Sequence, residues 1–368
     1  MAYQFCTDCE GPISKNDNAM ELSEFYIQRG GELFARISRY DDYLADVERR
    51  PGYKAGDTLK LILPFLKAFG ATEEGMREFS RDHILLVPGA SEALEEIRSR
   101  MECFIISTSY APYIEALCET IGFPKDRVSC TEVPLDRYPL EEKDRQRMMD
   151  LTEEILRMEI LDWPERGKGR QDLSDRGRET LQRLDEIFWK EIPSMGIGAV
   201  WTAVNPVGGP EKARALIQSL GRTGNKVCEV LYVGDSITDV EAFDLVRREG
   251  GVTVSFNGNR YALRSAEIAC LSPHALVLSL LAEAFQKGGR QEVVAMVEGW
   301  ERGGDLPSCV NETYKGRFAM MEERLRSQGL WVERPMLYRV TEKNRDELTV
   351  RSEAFRKQVR GIEVGTLG

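Results

Sequence analysis

Histidine is nearly absent from this chain, with only His83 and His274 in 368 residues. Neither stands in a motif, so nucleophilic schemes that depend on a histidine base lack support, and both are expected to be structural. No run is long and apolar enough to cross a bilayer, and the opening MAYQFCTDCE has no basic stretch followed by an apolar one. A cytoplasmic location and no membrane partner are expected. An excess of positive charge is also missing. Fifty Lys and Arg against 61 Asp and Glu give a net charge of -11, which excludes the basic footprint of a nucleic-acid binder. Eight cysteines are too few and scattered for a disulfide scaffold. Cys6 and Cys9 form a C-x-x-C, but no second Cys/His pair completes a zinc site. Gly11-Pro12 follows where a redox motif would open a helix, so they read as small residues at a strand end.

What is present is a chain with 42% hydrophobic residues, enough to bury a large core. Tyr3 to Thr7 reads as a short strand ended by Gly11-Pro12. From about Asn18 to His83 the apolar spacing is helical, as in Leu59, Ile62, Leu63 and Leu66, and breaks at Gly30-Gly31, Pro51-Gly52 and Gly70 suggest a small bundle. The run Cys103 to Ile106 predicts a strand that gives way to a polar loop, Ser107-Thr108-Ser109, and then a helix through Ile114 and Leu117. A short extended piece is expected near Val128 to Val133, and Leu140 to Trp189 reads as a charged helical insertion. Gly196 to Val204 reads as extended. Pro210 opens a helix through Leu216 and Leu220, and Val227 to Val233 is the strongest strand, continuous as a buried parallel strand should be. Val252 to Phe256 supplies another strand and Ala275 to Phe285 a helix. Beyond Gln286 the pattern is mixed, with a helix expected between Tyr314 and Gln328.

Alternating strands and helices imply an α/β fold with a Rossmann-like parallel sheet, whose ligands collect past the carboxyl ends of the strands. Asp8 and Glu10 follow the first strand, Ser107 the second, and Asp235 and Asp239 the strongest, while Lys212 opens a helix. Four carboxylates gathered at one site repel one another unless a hard cation and a lysine offset part of the charge, and magnesium suits that role. The aromatics Phe25, Tyr26, Phe34, Tyr40 and Tyr43 could line a pocket, but their helical spacing favours a core.

Laid in order, Asp8-Cys9-Glu10-Gly11, the strand ending in Ser107, Lys212 in Gly-Pro-Glu-Lys-Ala, and Gly234-Asp235-Ser236-Ile237-Thr238-Asp239 resemble the four motifs of the haloacid dehalogenase (HAD) superfamily of aspartate-nucleophile phosphatases. Val87-Pro88-Gly89 is reminiscent of its phosphoserine phosphatase-like members. A more particular likeness is to archaeal HAD proteins with an Asp-x-Glu-Gly-Pro start, some described as accessory to energy-converting hydrogenases. The resemblance implies Asp8 as nucleophile and Glu10 as acid and base. It implies Ser107, Thr108 and Lys212 as phosphate ligands, with Ser107 and Lys212 also counted in the catalytic set. Mg2+ would be held by Asp8, the Glu10 backbone carbonyl, Asp235 and Asp239. The chain departs from the usual Asp-x-Asp-Gly in carrying Glu10, one methylene longer, and Pro12 where Thr or Val is common.

The implied division is a catalytic core of residues 1-13, 84-135 and 195-285, a helical C1-type cap over 14-83, a second charged insertion over 136-194, and an extension over 286-368 with no assigned role. The expected function is a magnesium-dependent phosphatase acting on a small phosphorylated metabolite. A HAD-like subunit that docks on a larger complex is the competing reading, and a protein partner or homodimer stays open.

Overall fold

The computed structural model describes residues 3-164, 167, 169-301 and 312-361. Its centre is a seven-stranded sheet: β1 (Gln4–Thr7), β2 (Glu102–Tyr110), β3 (Val128–Thr131), β4 (Val230–Gly234), β5 (Val252–Phe256), β6 (Ile268–Leu271) and β7 (Met336–Arg339). The strand order is β3-β2-β1-β4-β5-β6-β7, and every pairing is parallel except β6 with β7. This is an α/β fold. Side chains alternate between two covered faces, as the two-residue period of a strand requires. Phe5, Ile105, Leu231 and Val233 pack in the cluster on one face, and Cys6, Phe104 and Tyr232 in the cluster on the other.

β1 lies between β2 and β4, with Thr7 opposite Ile105 and Val233. Because the chain runs from β1 outward to β2 and β3 and then returns to β4, the connections on the two sides of β1 diverge at its carboxyl end. An open α/β sheet leaves a crevice at such a point. Helices fill the space above it. Leu22, Phe34, Ile37 and Ile62 from the stretch after β1 share one apolar cluster with Met148, Leu151, Ile155 and Phe188 from the stretch after β3. Tyr40 and Tyr43 are buried in this cluster, Tyr26 packs on it, and Phe25 is exposed. The aromatic stretch is therefore mainly core.

Four local expectations are corrected. Ser107 to Ser109 do not form a loop after β2; the strand continues to Tyr110, and its register against β3 shifts between Ile106 and Tyr110. Gly196 to Val204 is not extended but a 3-10 turn, Gly196–Ala199, followed by a helical turn, Val200–Ala203. Ile197, Val200 and Val204 are buried at spacings of three and four, a helical period that a short window did not reveal. Val227–Glu229 is a 3-10 turn, so β4 begins only at Val230. The helix expected to end at Phe285 runs from Val277 to Glu301, broken at Gly288-Gly289, where Gly289 has φ +59°. The helix expected over Tyr314 to Gln328 is observed as Glu312–Ser327.

The last part of the chain completes the sheet. β7 adds an antiparallel edge to β6, and the helix Arg345–Arg360 seats Leu348 and Phe355 against Leu263 and Leu271. Among the described residues, no helix is long and apolar enough to cross a membrane.

Candidate functional site

Asp8 is the first residue past β1, and its N–H still donates to the Val233 carbonyl at 2.9 Å, so the strand ladder fixes its position. The chain then turns tightly. Gly11 N–H donates to Ser14 O at 2.7 Å, and Gly11 adopts φ +101°. A β-carbon on Gly11 would stand 2.3 Å from Asp235 Oδ2. Glycine is thus required twice, by the left-handed backbone and by the approach of this turn to the carboxylate after β4. Gly234 has a matching reason, since a β-carbon there would meet Asp239 Cγ at 2.3 Å.

Lys212 lies in the first turn of the helix Pro210–Thr223 and is wholly buried, with its ammonium between two carboxylates. Nζ is 2.5 Å from Asp8 Oδ2 and 2.7 Å from Asp239 Oδ1. Burial alone would lower the lysine's pKa, but Asp239 and Asp8 more than reverse it, so the ammonium is held above its ordinary value. Asp8 is pushed up to about 7 by burial, with Lys212 opposing the rise and Asp239 and Asp235 adding to it. Asp8 Oδ1 accepts the Cys9 N–H at 2.7 Å.

Asp239 accepts from Lys212 and, at 3.3 Å, from the Tyr232 hydroxyl at Oδ1, and from the N–H groups of Asp235 and Ser236 at 3.0 and 3.2 Å at Oδ2. A carboxylate offers about four lone-pair directions, so these bonds use its capacity. It holds Lys212 and the turn after β4 in place, while Asp8 and Asp235 keep capacity for a ligand. Oxygens of Asp8, Asp235 and Asp239 come within 4.8 Å of one another. Buried carboxylate oxygens at this spacing fit a small, hard dication such as magnesium, with Asp8 and Asp235 best placed to touch it.

The Glu10 carboxylate reaches the start of the helix Asn18–Tyr26. Its Oε1 accepts the Asn18 N–H at 2.8 Å, beside Asp17, which caps the same helix through Met20 N–H at 3.1 Å. Burial raises Glu10 well above the usual carboxylate range, and the charge of Asp17 adds to the rise. Ser107 is buried and bonded locally, its Oγ donating to Ser109 Oγ at 3.0 Å. Thr108 Oγ1 donates to the Val207 carbonyl at 3.1 Å. Asp8, Glu10, Ser107, Thr108 and Asp235 all line one cavity of about 100 Å³. Its opposite wall, from the helical layer, carries Phe34, Asp41 and Asp42. Lys212 lies behind Asp8 and does not line the cavity.

The sequence reading missed two residues. Arg356 and Arg360, on the C-terminal helix, also line the cavity, and the Nη1 atoms of both reach Asp235 Oδ2, that of Arg360 at 3.2 Å. The signal lay in the spacing. Leu348, Ser352 and Phe355 mark the buried stripe of this helix, and Arg356 falls on it. An arginine on a buried stripe calls for a buried carboxylate partner.

The two cysteines of the C-x-x-C are both buried but pack in different apolar clusters. Burial pushes the Cys6 thiol up to about 12 and raises Cys9 well above its usual value, with the charges of Glu10 and Asp8 adding to the latter. His274 is buried and stacks on Trp331, and His83 stacks on Phe79; neither lines the cavity.

No protein-family model matches this chain, and no curated protein does. Among solved structures, the gene product AF1437 from Archaeoglobus fulgidus superposes with a TM-score of 0.80 at 27% identity, covering 100% of this chain and 99% of that one. The two share their overall fold from end to end. A substrate-bound phosphoserine phosphatase gives a TM-score of 0.40 at 12% identity, covering 73% of this chain and 92% of its own. A HAD family hydrolase, t0658 from Salmonella enterica serovar Typhi, gives 0.43 at 11%, covering 75% and 70%. These last two superpose too loosely to carry any conclusion about this chain.

Proposed function

We propose that this chain is a magnesium-dependent phosphomonoesterase of the HAD type, working through an aspartyl phosphate on Asp8. The observation that carries the reading is the buried Asp8-Lys212-Asp239 chain beside Asp235, at the strand ends where the sheet's connections diverge, opening on a cavity of about 100 Å³. A structural role alone does not account for it, because carboxylates and cationic side chains buried together are costly to desolvate and add little net stability.

In this reading an oxygen of Asp8 attacks phosphorus, and the bond from phosphorus to the substrate's oxygen breaks. Glu10, whose protonated form burial favours, gives its proton to the departing oxygen, so an alcohol leaves. Glu10 then takes a proton from water, whose oxygen attacks the phosphorus of the aspartyl phosphate. Inorganic phosphate leaves and the Asp8 carboxylate is restored. Lys212 offsets charge on Asp8 throughout, and Ser107 and Thr108 line the space for the phosphoryl oxygens. Asp8, Asp235 and the Glu10 carbonyl would hold Mg2+, which when bound would supply positive charge beside the phosphoryl group and favour the ionised form of Asp8. The proposed substrate is a small phosphorylated metabolite, whose phosphoryl group the cavity of about 100 Å³ accommodates.

The test is phosphate release from a panel of small phosphomonoesters, with and without Mg2+, for the unaltered protein and Asp8→Asn. The expected result is turnover that requires Mg2+ and vanishes in Asp8→Asn. Equal turnover in Asp8→Asn would overturn the assignment of the nucleophile.

A further inference from the structure

The C-terminal helix contributes two positive charges to a site that is already built without it. Arg356 and Arg360 are one helical turn apart, so they share a face, and both guanidinium groups meet the same carboxylate oxygen, Asp235 Oδ2. Arg360 is fixed further by donating to the carbonyls of Lys15 and Asn16, in the turn that follows Asp8 and Glu10. Both side chains are only 4% exposed.

The helix has other anchors. Ser352 Oγ donates to Gly258 O at 2.6 Å, Glu353 accepts the Arg260 N–H at 3.1 Å, and Leu348 and Phe355 sit in an apolar cluster. A buried ion pair is a poor source of net stability compared with such contacts, because desolvation offsets its attraction. The pairing is therefore more than an attachment point. Asp235 is also the carboxylate best placed, with Asp8, to touch a cation.

Building on the phosphatase reading, we propose that Arg356 and Arg360 are positioning residues that share Asp235 with the cation and make the binding of Mg2+ and of a phosphate-like anion mutually dependent. Three carboxylates, Asp8, Asp235 and Asp239, face three fixed cationic groups, Lys212, Arg356 and Arg360. A dication entering alone meets two buried guanidinium groups on its own ligand and is repelled by both. A phosphate dianion entering the same cavity is attracted by both. Each ligand thus removes the obstacle to the other, and reciprocity of coupling requires the effect to be equal in both directions. Glu10 and Asp17, whose carboxylates also interact with Arg360, alter the absolute affinities. The sign of the arginine effect does not depend on them, since removing a positive charge beside a dication always relieves repulsion.

The experiment is isothermal titration of the full-length protein with Mg2+, in the absence and in the presence of saturating inorganic phosphate. The unaltered protein is expected to bind Mg2+ at least about tenfold more tightly with phosphate present. Arg360→Gln and Arg356→Gln should bind Mg2+ at least about tenfold more tightly than the unaltered protein when phosphate is absent, and lose most of the enhancement by phosphate. Arg360→Lys, which keeps the charge, should retain the coupling. If an Arg356 variant fails to fold, the Arg360 pair decides the matter. Weaker Mg2+ binding in Arg360→Gln without phosphate would overturn the proposal and leave the arginines as props that shape Asp235. Independent binding of Mg2+ and phosphate by the unaltered protein would overturn the coupling alone. Binding of neither ligand would refute the phosphatase reading on which it rests.

Discussion

Replacing Lys212 with methionine keeps the bulk of the side chain and removes its charge, stranding Asp8 and Asp239 as unpaired carboxylates. Both were within 2.7 Å of the ammonium, and the lysine is wholly buried. Removing one partner of a buried charge pair costs about 3–5 kcal/mol, because the remaining charge has lost its compensation in a medium that cannot solvate it. Asp8→Asn in the same background removes one of the stranded charges, so the two substitutions should not add. A coupling of about 1–3 kcal/mol is expected, with the double variant more stable than the sum of the singles allows. The loss in Lys212→Met should also shrink as the pH falls, since protonating Asp8 relieves the same defect. Urea unfolding followed by circular dichroism at pH 8 and pH 5 measures both effects. Additivity within about 0.5 kcal/mol, with no dependence on pH, would refute the picture of a shared ammonium.

Other perturbations test other parts of the account. Gly11→Ala places a methyl group where Asp235 Oδ2 stands and forces alanine to φ +101°, so a loss of more than about 1 kcal/mol in stability and a marked loss of Mg2+ affinity are expected; an unchanged affinity would mean the turn yields freely. Glu10→Gln keeps shape but carries no transferable proton, and should slow turnover by about 10²–10⁴-fold, least for substrates whose leaving group needs no proton; a uniform loss across leaving groups would argue against the acid role. Burial pushes Asp41 up to about 7, with Asp57 adding to the rise. The folded chain therefore holds a proton that the unfolded chain, with a carboxylate near 4, has released, and stability falls as pH rises from about 4 to 7. Asp41→Asn cannot ionise and should flatten that part of the profile in thermal melts at successive pH values, whereas an unchanged slope would place the titration elsewhere.

The site residues were legible to different degrees for physical reasons. Asp235 follows a strand whose apolar run announces itself, and Asp8 follows a short strand marked by the Gly11-Pro12 turn after it; the ends of such strands are where ligands gather in an open α/β sheet. Lys212 was visible by its place after Gly209-Pro210, a helix start, but its complete burial could not be read from a charged residue in a first turn. Ser107 to Ser109 looked like a loop because polar residues ordinarily end a strand. Here the irregular pairing with β3 absorbs them within β2. Arg356 and Arg360 escaped notice because their partner Asp235 stands more than a hundred residues earlier. Local periodicity marks a stripe as buried but does not say what it meets. The pairing of β7 with β6 was hidden likewise, since a four-residue strand carries almost no pattern of its own.

The central claim is that a phosphoryl group passes through Asp8. Incubating the protein with Mg2+ and para-nitrophenyl phosphate, quenching in acid and mapping the peptides by mass spectrometry tests it most directly. The account predicts one phosphoryl group on the peptide that carries Asp8, absent in Asp8→Asn and lost on a chase with unquenched buffer. Turnover with no phosphoryl group on that peptide, or with one on another residue, would contradict it.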